Sequence, residues 1–339
     1  MPLAYDYITS RSFWRLVYPP ERSPSDKVKT PPLELFVSNS RDVRNALSSW
    51  VTQDILNLDD GRVHVLAFSR NNRRVSKFHS TYVWPHALPD GSLLDLGTGA
   101  FVSSPEFTFL QIAATHSIIQ TVAYGDEICG RYAFDPFNER GLRKRIPLTN
   151  KAKLSSYLDS IDAMFPSNYP GVKKARRALQ YIIEESASPM ETVDEMLLCL
   201  PYKLGGYGLP KPHMNKAITL SPSAARIAKK SVCYGDMCWN KPALIDIEHQ
   251  GLLDHDEPLK FEEDRQRING IKAMGYEVIE LTNKQVKDFA GFESIAMHLA
   301  KRLDKWIYVS KRGGISSRVA LRKELFEWNQ AGGRKMRYQ

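Results

Sequence analysis

From residue 244 to 250 the chain reads LIDIEHQ, with apolar Leu244, Ile245 and Ile247 set against Asp246, Glu248 and Gln250 at every second place. A strand has a side-chain period of two, so the three polar groups are expected on one face of a sheet. The runs LELFVS (33–38), RVHVLAF (62–68), VSKFHSTYVW (75–84), SVCYGDMCW (231–239) and YEVIELT (276–282) also read as strands. Turn signals at Asp59-Asp60-Gly61 and Asn71-Asn72 punctuate the earlier ones, and Asn240-Lys241-Pro242 the later pair.

Helical spacing begins at Ser103-Ser104-Pro105-Glu106. Either serine can cap, proline suits the first helical position and glutamate the first turn. Phe109, Ile112, Ala113 and Ile119 predict one helix running through them. In GVKKARRALQYIIEES (171–186) the stripe Val172, Ala175, Leu179, Ile182 and Ile183 lies opposite Lys173, Lys174, Arg176 and Arg177. Such a charged run is a solvated helix face or a phosphate contact. Ser188-Pro189 starts a further helix with Glu191 in its first turn and Val193, Met196, Leu197 and Leu200 apolar. YKLGGYGLPKP (202–212) reads as a loop or hairpin without the Lys-Ser or Lys-Thr of a phosphate-binding loop. A late helix is expected around ALRKELFEWNQ (320–330).

These elements divide the chain. PPERSPSDKVKTPP (19–32) is an exposed connector, and the polar, basic stretch ERGLRKRIPLTNKAK puts a domain boundary near residue 150. The expectation is a smaller α/β domain over 1–150 and a second domain over 165–310. The latter would run helix, irregular stretch, strand, strand, helix, strand, helix, before a basic helical tail over 311–339. The fold class is α/β (α+β), a mixed sheet flanked by helices.

Composition adds modest bounds. The 339 residues are 42% hydrophobic and 25% charged, as in a globular protein, and carry a formal charge of +9. Residues 301–339 hold eleven Lys and Arg against three Asp and Glu. That end is either a polyanion-binding surface or a solvated tail. The four cysteines have neither framework nor zinc spacing and read as reduced thiols. No run is long and apolar enough for a membrane span and the start has no signal-peptide pattern, so a cytoplasmic location is expected, away from membranes.

Carboxylates crowded on one sheet face repel and resist desolvation unless a cation compensates. If 231–239 and 244–250 form a tight antiparallel hairpin, Asp236 falls opposite 246 or 247, one diagonal step from Glu248. The pair could then share Mg²⁺ or Mn²⁺, ions that favour carboxylate oxygen and keep waters able to attack phosphorus.

Asp236, eleven residues, then Glu248-His249-Gln250 resembles the Asp…Glu-x-Lys signature of the PD-(D/E)xK nuclease superfamily. The longer run LIDIEHQG…FEEDRQRINGIKAMGYEVIELT is similar to the very-short-patch-repair-endonuclease-like domains, with Asp264, Arg265, Arg267, Gly275 and Thr282 at matching places. The likeness covers about residues 170–300. It implies a restriction-endonuclease-like core in which Asp236 and Glu248 bind metal and Glu191 stands beside them. Asp246 is an outer ligand or merely the entry of the strand. Gln250 replaces the motif lysine; it can orient a water or phosphate oxygen but brings no charge, which leaves Arg265 or Arg267 to supply it. His249 faces the other way, as a packed imidazole, and His255 could reach the cleft as an acid or phosphate contact.

RVHVLAFSRNNRRVSKFHSTYVW followed by VSSPEFTFLQIAATHSIIQTVAYGDEI resembles the C-terminal part of AbiEi-type antitoxins. Ser103-Ser104-Pro105-Glu106 and Thr108 carry that likeness, with His64 and His79 at places where such proteins often have histidine. The expected function is metal-dependent nucleic-acid phosphodiester hydrolysis, with DNA as first choice, in phage defence or repair. The alternative is an inactive, nuclease-derived binding or regulatory protein of a toxin-antitoxin type system. A protein partner or homodimer stays open.

Overall fold

The computed structural model describes residues 3–17, 62–77, 79–96, 100–165, 168–250, 258–307 and 314–332. The connector 19–32, the strand expected at 33–38, the turn at 59–61, His255 and residues 333–339 lie outside them. The fold is mixed α/β, as the alternating and helical patterns predict. No described helix is long and apolar enough to cross a membrane.

Two compact units emerge. One comprises Met1–Cys129 and Ala133–Ile182, the other Gly130–Tyr132 and Ile183–Gly332. The main division therefore falls at 182/183, not near 150, so the Lys173–Arg177 helix belongs to the first unit. Sequence texture placed the boundary too early because 139–153 is polar without being a linker. Its Leu148 is buried, and Asn150 caps the next helix by accepting from the Lys153 amide at 2.8 Å.

In the first unit a five-stranded sheet has the order β3-β2-β1-β5-β4. Its strands are β1 (Leu3–Tyr5), β2 (Val63–Ala67), β3 (His79–Val83), β4 (Leu93–Asp95) and β5 (Ala100–Ser103). Helix α1 (Tyr7–Ser12) is capped by Asp6, whose Oδ1 accepts from the Ile8 amide at 2.9 Å. His64 and His79 are both buried, and the His79 ring bonds Ser76 at 2.9 Å.

Ser104 is the cap of α2 (Pro105–Thr115), accepting from the Phe107 amide at 3.1 Å. The single helix expected through Ile119 is two. His116 takes an extended backbone, the Ser117 hydroxyl accepts from the Gln120 amide at 3.0 Å, and α3 (Ile118–Cys129) starts afresh. A serine that can cap the following turn competes with continuation of the preceding one. The short strands β6 (Tyr132–Phe134) and β7 (Leu142–Lys144) pair, and α4 (Lys151–Met164) and α5 (Val172–Leu179) follow.

The second unit opens with α6 (Pro189–Cys199), capped by Ser188. Next come β8 (His213–Thr219), α7 (Pro222–Ala228), β9 (Val232–Trp239), β10 (Ile245–Gln250), α8 (Pro258–Ala273) and β11 (Glu277–Thr282). The sheet order is β11-β10-β9-β8; β9 runs antiparallel to both β8 and β10, while β10 and β11 run parallel across α8. Ile218, Leu220, Ala224, Ala228, Cys233, Cys238, Ile271 and Tyr276 form a core between α7, α8 and the sheet. The stretch expected to be irregular hides both β8 and α7. YKLGGYGLPKP holds only a 3₁₀ turn at Tyr202–Leu204 and no hairpin.

Helices α9 (Asn283–Lys287), α10 (Phe289–Arg302) and α11 (Gly314–Gly332) complete the unit. The helical tail is therefore no free arm. Leu321 and Leu325 of α11 are buried, and so are Arg318 and Arg322. The Arg318 guanidinium pairs with Glu293 and lies 4.5 Å over the Tyr207 ring, while that of Arg322 lies 5.1 Å over the Phe292 ring. Apolar stems and cation–π contact explain how a charge-rich helix packs inward. None of the four cysteines is in a disulfide among the described residues.

Candidate functional site

Strands β9 and β10 pair Trp239 with Ile245, Cys238 with Asp246 and Met237 with Ile247. Residues 240–244 thus form a five-residue loop instead of a tight turn, because Pro242 has no amide to give a ladder. This corrects the expected register: Cys238 faces Asp246, and the ladder leads Asp236 toward Glu248. Pairing stops there. Asp236 Oδ2 accepts from the His249 backbone amide at 3.0 Å, in the place where a strand carbonyl would stand.

Glu191 comes from the first turn of α6 because Ser188 accepts from its amide at 3.2 Å. Its Oε2 accepts from the Ala187 amide at 2.8 Å and from the Asn215 side-chain amide at 2.9 Å. Burial, foremost, raises the pKa values of both Asp236 and Glu191. The Glu248 and Glu191 charges push Asp236 well above the usual carboxylate range. Glu191, with the Glu248 charge adding to burial, is pushed up to about 7. Three acids from α6, β9 and β10 therefore share one electrostatic neighbourhood.

Glu248 is not open as it stands. Arg267 of α8 donates to its Oε1 and Oε2 at 2.7 Å each, and also to the Tyr234 carbonyl at 2.8 Å. Among the described residues no three His, Cys, Asp or Glu groups are arranged to hold a metal ion. The donor chemistry nonetheless fits one: hard, mutually repelling carboxylate oxygens are what Mg²⁺ or Mn²⁺ prefers.

The other expected residues divide. Asp246 turns inward under Gly235, where it accepts from the Cys238 thiol at 3.3 Å; its Oδ2 has no partner, and burial, with the Glu248 charge second, pushes its pKa to about 8. Its full burial rules out the solvent-facing strand entry. Gln250 donates to Glu280 at 3.2 Å on the next strand. Arg265 is exposed on α8.

Lys173, Lys174, Arg176 and Arg177 lie on α5 of the other unit. Arg176 is engaged by Asp159 and Asp162, and Lys174 donates to the His116 carbonyl. Lys173 and Arg177 are exposed, as a solvated face requires.

Three participants were missed. Asn215 lies on unrecognised β8, although Met214 and Ile218 hint at a strand there. Asp194 lies on α6, where Glu191, Asp194 and Glu195 are all buried. Their i, i+3, i+4 spacing could have revealed a shared acidic face directed inward. His249, read as packing, has a ring only 6% exposed but polar-bonded through both nitrogens. Comparison with protein families, curated proteins and solved structures found no match to this chain.

Proposed function

We propose that the second unit is a metal-dependent nucleic-acid phosphodiester hydrolase. The observation that carries this reading is the convergence of Asp236, Glu248 and Glu191, with Asp236 and Glu191 both held above the usual carboxylate range. Buried acids in such a cluster favour a functional site over an ordinary sheet surface. The resemblance to PD-(D/E)xK domains supports the same roles for the same three residues.

Asp236 and Glu248 would hold Mg²⁺ or Mn²⁺, with Glu191 beside them. When bound, the ion supplies Lewis-acid polarisation of the phosphate and an activated water. Arg267 neutralises Glu248 in the metal-free protein; moved onto a phosphate oxygen it provides the positive charge that Gln250 cannot. Gln250, released from Glu280, orients a water or phosphate oxygen by hydrogen bonding.

A supercoiled-plasmid nicking assay with Mg²⁺ or Mn²⁺ tests this. Wild type is expected to nick, while Glu248→Gln and Asp236→Asn do not; cleavage surviving both substitutions removes the mechanism. The second reading, a nucleic-acid-binding regulator without cleavage, is favoured by Gln250 at the lysine position and by the engagement of Glu248 with Arg267. DNA binding without nicking by wild type is its signature.

A further inference from the structure

His249 lies between Glu248 and Gln250 in sequence and faces away from them. Its Nδ1 donates to Asp194 Oδ2 at 2.6 Å, and its Nε2 is 3.3 Å from Asn283 Oδ1. The ring is 6% exposed and Asp194 fully buried. One residue therefore touches three elements: α6 through Asp194, α9 through Asn283, and β9 through the backbone amide that holds Asp236 Oδ2.

Asp194 stands one turn after Glu191 on α6, so the Asp194–His249 bond ties the helix bearing Glu191 to the strand bearing Glu248. The same His249 backbone fixes Asp236. All three acids are thereby referred to one residue: Glu191 through the imidazole and Asp194, Asp236 through the backbone amide, and Glu248 as its chain neighbour.

We propose that His249, through Asp194, is the positioning residue that sets the spacing of Glu191, Asp236 and Glu248 for a divalent cation. This rests on the metal-site reading above and goes beyond it by assigning the device that builds the site. A buried, charge-assisted bond between two elements resists the repulsion of the acids they carry. Partners behind a ligand shell commonly govern metal affinity by about 10- to 100-fold.

The test is the affinity of the full chain for Mn²⁺, measured from the electron paramagnetic resonance signal of the free ion, with thermal unfolding followed alongside. His249→Asn places a side-chain N–H near the Nδ1 position, whereas His249→Gln places it near Nε2. The asparagine variant is expected to stay within about threefold of wild type, and the glutamine variant to bind about 10-fold more weakly or worse. Equal affinity of the two folded variants, or the reverse order, overturns the assignment of His249. Wild type that binds no Mn²⁺ removes the metal reading itself, and this inference with it.

Discussion

Arg267 meets Glu248 fork to fork, both terminal guanidinium nitrogens within 2.7 Å of the two carboxylate oxygens, with the Glu248 side chain only 3% exposed. The pair decides how the second unit tolerates its acids. Glu248 repels Asp236 and Glu191, and Arg267 is the cation in direct contact with it. Bidentate geometry makes such a pair selective for arginine.

Arg267→Met should therefore leave a carboxylate buried without compensation. Removing one partner of a buried pair costs about 3–5 kcal/mol. Urea unfolding of the metal-free chain should show that loss, and Arg267→Lys should recover only part of it. A change below about 0.5 kcal/mol would mean the pair is solvated.

The pH dependence follows from the raised acids. Glu191 moves from 4.5 to about 7 and Asp246 from 3.8 to about 8, so between those values the folded chain keeps protons that the unfolded chain has lost. Stability from these groups is full below about pH 4 and falls as pH rises through 7 to 8. Denaturant midpoints of the metal-free protein should decline across that window, and Glu191→Gln should flatten the decline. Midpoints that rise from pH 5 to 8 would contradict the assignment.

Gly235 is required for space. A Cβ there would meet Asp246 Oδ1 and Cys238 Sγ, each at 2.6 Å. Gly235→Ala is expected to cost about 1–3 kcal/mol, as overpacking does. Pairing it with Asp246→Ala should relieve part of the cost, a coupling that a double-mutant cycle reads directly.

The docked α11 makes a prediction opposite to that of a free basic arm. Leu325, fully buried, should cost about 2–5 kcal/mol when changed to alanine. Arg318→Gln should disturb stability through Glu293 and Tyr207 and, on the proposed nucleic-acid reading, leave the salt dependence of DNA binding unchanged. A reduced salt slope would show instead that this arginine reaches phosphate.

Chain pattern alone made much of this legible. Alternation located β2, β9, β10 and β11, since side chains on a strand must point to opposite faces. Ser-Pro starts located α2 and α6, because the cap is a local hydrogen bond within three residues. Asp236 and Glu248 were recognisable as acids on neighbouring strands, whereas Glu191 was set beside them only by the likeness to PD-(D/E)xK domains.

Tertiary structure decided what local pattern cannot encode. A five-residue loop, not a tight turn, sets which residue faces Glu248. Folding brings Arg267 and Asn215 to the acids from 19 and 24 residues away. Packing turns Asp246 under a glycine and buries the arginines of a charge-rich helix. Local spacing dictates what an element is, but the partners of a buried charge are chosen by distance in space, and distance is settled only when sheet and helices close together.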